Sequence, residues 1–321
     1  MSSYNVSQKI FVFLRKNFYI IYLMSSVYKK ETLIRTISFM SFFVAINVIC
    51  SFLTTIVPVV SIVLIIFLPL TSAVVEVNCK DRWFPIYAFA TIGLSMVVTL
   101  SSIDFTIFYI VPSIFTGYIF GLFSKKRLPS MYAIFFATVI QTGLSFAFIP
   151  LIELITGSNL LDVFVKIFRI SGRFWFDTLL LLIFFIVALM QVVLSYIVVS
   201  NELKKFTDDK AQEHGHELIA AVSSLGSATI ATTCAFFYLP VALLFVGISF
   251  YFGVFTVIEQ VYSKNKWALI CNGGFAFATL LLFALLNKYF ADGVELVLLL
   301  IAPVLVSIYS IFYSFLKKSG Q

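Results

Sequence analysis

The chain has 321 residues, of which 61% are hydrophobic and 12% are charged. Soluble domains carry about 25% charged residues, and a soluble fold of this length could not bury so much apolar surface. The formal net charge is +7, but the basic residues are spread over connectors between apolar segments, where lipid headgroups and membrane topology explain them. Composition therefore excludes a soluble globular protein, predicts a lipid bilayer as the surroundings, and gives no reason to expect a nucleic-acid partner.

The first segment, residues 1–35, alternates basic and aromatic residues. Lys9, Arg15 and Lys16 lie among Phe11, Phe13 and Phe18. A secretory signal would end in a cleavage site of small residues, and no such pattern follows this segment. This pattern predicts an amphipathic helix at the cytoplasmic membrane interface. A short additional span is the alternative.

Ten apolar segments follow, each long enough to be read as a membrane span, since about 18 or more apolar residues cross a bilayer core of about 30 Å. They predict an all-α, polytopic integral membrane bundle of about ten transmembrane helices. Residues 36–200 hold six of them, a charged cytoplasmic loop occupies 201–216, and four more lie in 217–321. The predicted spans are 36–57, 60–77, 83–102, 104–123, 130–152, 174–200, 217–237, 240–262, 267–287 and 293–316.

The basic residues predict the orientation of these spans. If the N-terminus is cytoplasmic, all but four of the 22 Lys and Arg residues lie on the cytoplasmic side; the exceptions are Lys166, Arg169, Arg173 and Lys288. Cytoplasmic loops of membrane proteins carry an excess of Lys and Arg. The sequence thus predicts a multi-pass protein with both termini in the cytoplasm.

Several spans, including the fourth and the seventh, carry small residues at every fourth position, a spacing that lets helices approach closely in lipid. Such stripes are typical of ordinary packing between helices of one bundle. Alternatively, a stripe is a docking surface for another integral membrane protein. The stripes are Ser113, Gly117 and Gly121 in the fourth span, and Ala220, Ser224, Ala228 and Thr232 in the seventh.

Uncharged polar residues at membrane depth need partners within the bundle, because lipid offers none. Asn47 and Ser51 share one face of the first span, and Gln141, Gln191 and Asn272 lie within the fifth, sixth and ninth spans. Each either forms hydrogen bonds between helices or lines a solute cavity. Span centres are almost free of charge, which argues against a relay of buried carboxylates.

The external connector 153–173 has apolar residues at helical spacing, interrupted by basic residues that include Arg169 and Arg173. It predicts an amphipathic helix on the outer leaflet. As an alternative, the helix covers an outward-facing pocket between spans one, four, five and six, where the arginines attract an anionic ligand. The candidate substrate residues of that pocket are Asn47, Ser51, Gln141, Arg169 and Arg173.

Motifs for catalysis are missing from the sequence. It contains no G-x-x-x-x-G-K-[ST] phosphate loop, and the segment His216 to Ala220 lacks the second histidine of H-E-x-x-H. We therefore expect a protein that is not an enzyme and that has no cofactor or metal site.

Residues 37–152 contain short motifs in an order that is typical of a known family: FVAINV at 43–48, FLPL at 67–70 and PSIFTGYIFG at 112–121, followed by a basic turn. The chain resembles the substrate-binding S components of bacterial energy-coupling-factor transporters, and more closely the YybS-like family of uncharacterised membrane proteins. The resemblance implies a six-helix core over 36–200, binding of a small solute, residence in the bacterial inner membrane, and an ATP-driven energising module as partner. The alternative is a non-transporting scaffold that binds another integral membrane protein.

Overall fold

The computed structural model describes residues 33–100, 106–157, 173–203, 216–262, 266–286 and 298–319. All regular structure in these ranges is helical. The predicted all-α class is therefore confirmed for the described part of the chain. The amphipathic N-terminal segment, the loop 201–216 apart from its last residue, and Arg169 lie outside the described residues.

Ten α-helices lie in the described ranges, and each overlaps one predicted span. A 3₁₀ turn at Asp81–Trp83 precedes the third helix, and a π-turn at Thr106–Ile110 leads into the fourth. The helices are α1 Leu33–Ile56, α2 Pro58–Asn78, α3 Phe84–Val98, α4 Val111–Lys125, α5 Ser130–Thr156, α6 Arg173–Leu203, α7 Glu217–Ala235, α8 Leu239–Tyr262, α9 Lys266–Leu286 and α10 Ile301–Ser319.

Seven helical segments within the described ranges are long and apolar enough to cross a membrane. They fall in α1, α4 with its π-turn, α5, α6, α7, α8 and the segment that contains α10. Shorter apolar segments lie within α2 and α9, at Leu64–Asn78 and Ile270–Leu282. The protein is therefore a multi-pass helical membrane protein, and the count of ten spans stays a prediction.

Helix ends follow local backbone chemistry. α5 ends at Gly157, whose φ of 67° is left-handed and whose N–H donates to the carbonyl of Glu153 at 2.9 Å. Glycine adopts that conformation without steric cost. After α4, Arg127 takes the same region with a φ of 54°, which lets the N–H of Leu128 donate to Phe123 O at 2.9 Å. The basic turn after α4 is thus a helix cap as well as a charged surface.

The described helices form two compact units. The first unit contains α1 to α4 and residues 191–203 of α6; the second contains α5, residues 173–190 of α6, and α7 to α10. This grouping differs from the six-plus-four division into 36–200 and 217–321, because α5 and the first half of α6 pack with the C-terminal helices. Contacts across space, rather than chain order, decide the grouping.

In the first unit, α2 and α4 form the closest helix pair, and α1 packs on α2 and α3. The aromatic side chains Phe39, Phe43 and Tyr87 are buried between these helices. Rings of Phe39 and Phe43 meet edge-on, with centroids 4.9 Å apart. The centre of this unit is therefore packed with large rings as well as small residues.

In the second unit, α7 and α8 form the closest pair, and α10 packs on both of them. The buried core includes Ala228, Ala231, Leu243, Val246 and Leu300. α5 joins α8 where the Tyr251 hydroxyl donates to Met131 O at 2.6 Å. Small residues on α7 thus let two neighbouring helices approach closely.

Candidate functional site

Asn47 lies at the centre of a polar network that joins α1, α2 and α3 in the first unit. Its side-chain nitrogen donates to the Tyr87 hydroxyl at 2.7 Å, and its side-chain oxygen accepts from Thr71 Oγ1 at 2.9 Å. The Tyr87 hydroxyl also lies 3.3 Å from Ser72 Oγ. Both ends of the Asn47 amide are therefore satisfied by neighbouring helices.

Ser51 extends the same network by one helical turn. Its hydroxyl donates to Asn47 O at 2.7 Å and lies 3.1 Å from Ser95 Oγ on α3. Asn47, Ser51 and Ser95 are all buried. The structure thus brings Asn47 and Ser51 together in a network whose hydrogen bonds run between helices of the first unit.

The other predicted pocket residues belong elsewhere. Gln141 is buried in α5, within the second unit. Arg173 is the first residue of α6, and Arg169 lies outside the described residues. The outward-facing pocket that these residues were predicted to line therefore stays a prediction.

The small stripe of α4 faces α2 inside the first unit. A Cβ added to Gly117 would overlap the carbonyl oxygen of Pro69 and lie 2.6 Å from Ser72 Cβ; one added to Gly121 would lie 2.6 Å from Glu76 Cβ. Ser113, the first member of the stripe, is buried as well. The two helices approach so closely because both glycines lack a side chain.

The small stripe of α7 faces α8 within the second unit. Ala220, Ser224 and Ala228 are buried. Ser224 Oγ donates to Ser249 O at 3.0 Å, and Ser249 Oγ donates back to Ser224 O at 3.0 Å. This reciprocal pair fixes the register between the two helices.

Thr232, the last member of the predicted α7 stripe, is exposed, and the buried face continues through Ala231 instead. An α-helix turns about 100° per residue, so each step of four residues drifts by about 40°. Three such steps carry Thr232 about 120° away from Ala220, whereas eleven residues return Ala231 to within about 20°. A strict spacing of four residues therefore selects Thr232 as the last residue of the packing face, whereas the buried residue at that turn is Ala231.

A charged cluster at the end of α2 was not anticipated from the sequence. Glu76 is fully buried, and Lys125 Nζ lies 3.7 Å from its Oε1. Lys125 donates instead to Asp81 Oδ1 at 2.5 Å and to Cys79 O at 3.0 Å. Neither carboxylate oxygen of Glu76 has a hydrogen-bond partner among the described residues.

The same lysine acts on the more exposed carboxylate. Its ammonium, through the hydrogen bond to Asp81, holds the pKa of that carboxyl group below its ordinary value. Lys125 therefore lies between two carboxylates, one exposed and one buried. In the sequence, Lys125 is the first residue of the basic turn at the end of α4. That pattern indicates a cytoplasmic loop, but it does not indicate that Lys125 contacts Asp81.

A second polar network joins four helices of the second unit. Glu217 Oε1 accepts hydrogen bonds from Gln260 Nε2 at 3.0 Å and from Ser310 Oγ at 2.7 Å. Asn272 Nδ2 donates to Gln260 Oε1 at 2.6 Å. One side chain each from α7, α8, α9 and α10 thus meets at one place.

The position of this network follows from the helix ends. Glu217 is the first residue of α7, Gln260 lies two residues before the end of α8, and Asn272 lies in the second turn of α9. Consecutive helices alternate in direction, so these ends coincide. The sequence indicated Asn272 as a buried polar residue but treated Glu217 only as part of a failed metal motif.

Asn272 is 6% exposed, and its Oδ1 has no hydrogen-bond partner among the described residues. Buried polar atoms in proteins are nearly always paired. Together with the Glu217 carboxylate, this oxygen makes the network rich in acceptors. Within the described ranges, no group of three or more His, Cys, Asp or Glu residues could hold a metal ion.

Comparisons of the chain with models of protein families, with curated proteins and with solved structures found no match. The class of the protein therefore rests on its own helices. Seven described segments are long and apolar enough to cross a bilayer, and they define an integral, multi-pass membrane protein.

Proposed function

We propose that the protein is a small-solute-binding component of a membrane transport system, similar in role to the S components of energy-coupling-factor transporters. The observation that carries the proposal is the network of Glu217, Gln260, Asn272 and Ser310. Polar and ionisable groups are costly in a membrane bundle and commonly mark the path of a substrate. A buried acceptor without a donor, Asn272 Oδ1, gives such a substrate a place to bind.

The competing scaffold hypothesis rested on the small-residue stripes as docking surfaces. Gly117 and Gly121 lie against α2, and Ala220 and Ser224 are buried, Ser224 being hydrogen-bonded to α8. These residues are therefore already used inside their own units. The polar network joins four helices, but Asn272 Oδ1 is left without a partner among the described residues, and this unpaired acceptor favours solute binding over scaffolding.

The proposal includes a partner and a location. The sequence lacks a phosphate-binding loop, so energy would come from a separate ATP-driven module, and the chain itself would not be an enzyme. We place the protein in a bacterial inner membrane with ten spans and both termini in the cytoplasm. In that orientation, the Glu217 network lies at the cytoplasmic end of α7 to α10.

Purification in mild detergent tests the function. We expect ATPase subunits and a small molecule to co-purify with the full-length protein, the molecule being detected by mass spectrometry of the extracted complex. Asn272→Leu should lose the small molecule and keep the subunits. Thr279→Val changes another buried polar residue of α9 and should keep both. Recovery of an envelope or division protein, with neither ATPase nor small molecule, would instead support the scaffold.

Cysteine labelling tests the topology. In a cysteine-free background, single cysteines at Ser158 and Asp292 should react with an impermeant maleimide in whole cells. Cysteines at Lys126 and Asp209 should react only after the membrane is opened. Labelling of either cytoplasmic position in intact cells would contradict the ten-span arrangement.

A further inference from the structure

We infer that Asn272 Oδ1, in the network that carries the negative charge of Glu217, is the binding site for a small organic cation that donates N–H hydrogen bonds, such as a primary ammonium group. The inference rests on the proposed function, because it names the class of solute that the same network would take. It follows from the direction of the hydrogen bonds, from the burial of the unpaired oxygen, and from the sign of the charge.

The carboxylate of Glu217 determines the direction of the whole network. An ionised carboxylate only accepts hydrogen bonds, so Gln260 must turn its nitrogen toward Glu217 Oε1, as it does at 3.0 Å. The oxygen of Gln260 then faces Asn272 and must receive a donor, which is Asn272 Nδ2 at 2.6 Å. Both amide orientations therefore follow from one charge, although nitrogen and oxygen of an amide otherwise look alike.

This direction leaves an acceptor at the far end of the network. Asn272 has used its nitrogen, so its Oδ1 points away from Gln260, is buried, and has no partner among the described residues. Turning the amide would not help, because two oxygens would then face each other at Gln260. A donor from outside the described chain is needed to satisfy Asn272 Oδ1.

The charge of the network selects the kind of donor. Glu217 supplies a formal negative charge, and the hydrogen bonds that it accepts from Gln260 and Ser310 both go to Oε1. Hydrogen bonds that involve a charged group are about twice as strong as neutral ones. A cation with N–H groups therefore gains a hydrogen bond to Asn272 Oδ1 and attraction from the charge of Glu217 at the other end of the network, whereas an anion would be repelled.

An ordered water would also satisfy Asn272 Oδ1, so the test must separate water from a cation. The full-length protein is purified in detergent, and its melting temperature is measured against methylammonium chloride and against tetramethylammonium chloride. The two cations carry the same charge, but the second has no N–H group. We expect concentration-dependent stabilisation by methylammonium and none by tetramethylammonium beyond the effect of sodium chloride.

The variants locate the effect. Asn272→Leu should weaken methylammonium binding about 10- to 100-fold, as expected for loss of a hydrogen bond to a charged group. Glu217→Gln keeps the shape and removes the charge, and it should weaken binding about tenfold or more even if Asn272→Leu folds poorly. Thr279, whose hydroxyl donates to Phe275 O within α9, provides the control: Thr279→Val should bind methylammonium like the wild type.

The outcomes are distinct. Absence of stabilisation by methylammonium, or equal stabilisation by both cations, overturns the assignment and leaves an ordered water as the occupant. Binding that is unchanged in Asn272→Leu and Glu217→Gln overturns the site. If ATPase subunits and a small molecule co-purify but methylammonium does not bind, only the cation assignment fails. If methylammonium binds through Asn272 but no ATPase subunits co-purify, only the transport proposal fails.

Discussion

Gly117→Ala tests the closest helix approach in the first unit. The added Cβ would overlap Pro69 O and lie 2.6 Å from Ser72 Cβ, whereas carbon atoms in good contact are about 3.5–4.0 Å apart. The carbonyl of Pro69 belongs to the backbone and cannot rotate away. α2 and α4 would therefore have to separate by on the order of 1 Å.

Two effects of opposite sign set the magnitude. Alanine in a helix interior is more stable than glycine by about 0.5–1 kcal/mol, and overpacking typically costs about 1–3 kcal/mol. Because the clash is with backbone, we expect the upper half of that range and a net loss of about 1–2.5 kcal/mol. At about 2–4 °C per kcal/mol, the melting temperature should fall by several degrees.

Gly93→Ala is the matched control. Gly93 lies in α3 of the same unit, and a Cβ there would meet nothing within 4 Å. In Gly93→Ala, the added methyl group causes no clash, and alanine favours the helix more than glycine does. The melting temperature should therefore stay the same or rise. The assay is thermal unfolding of purified protein in one detergent, followed by size-exclusion chromatography of the heated samples. Equal melting of the two variants would refute the described contact between α2 and α4.

Three further predictions concern single side chains. Ala228→Leu should lower the melting temperature through overpacking of about 1–3 kcal/mol, while Thr232→Leu should not, because Thr232 is exposed. Tyr87→Phe removes the hydroxyl that bonds Asn47 and should cost about 1–3 kcal/mol of stability, measured by the same melting assay. The lowered pKa of Asp81 means that its ion pair stabilises the protein above the ordinary pKa of 3.8 and is lost as the pH falls through the lower, folded value. Melting measured between neutral pH and about pH 3 should therefore show less acid destabilisation in Asp81→Asn than in the wild type.

The positions of the helices were predictable because each is a long apolar run bounded by charge or proline. α5, for example, was predicted at 130–152 and spans Ser130–Thr156. The start of α4 was harder to predict, since a π-turn at Thr106–Ile110 precedes it. Hydropathy indicates that a segment is apolar enough to lie in lipid, but it does not distinguish a π-helical segment from an α-helix.

The candidate site was less predictable than the helices. Ser310 and Glu217 are 93 positions apart in sequence, so only the packing of α7 against α10 brings them together. Glu76 lies near the end of the predicted span 60–77, and nothing in the local sequence indicates that Lys125 Nζ lies 3.7 Å from its carboxylate. Asn47 was recognised because its own helix carries the pattern. Patterns within one helix can be read from sequence, whereas partners on other helices cannot.

The burial of Glu76 has a consequence for biogenesis. α2 runs from Pro58 to Asn78, contains Pro69 and carries the buried Glu76 two residues before its end. A charged residue at the centre of a membrane helix costs about 2.5–3.5 kcal/mol on insertion scales, and less near its end. Lys125 and the glycine face that receives α2 are synthesised later, with α4. We therefore expect α2 to wait at the translocon until α4 emerges, so that the two helices enter the bilayer as a pair.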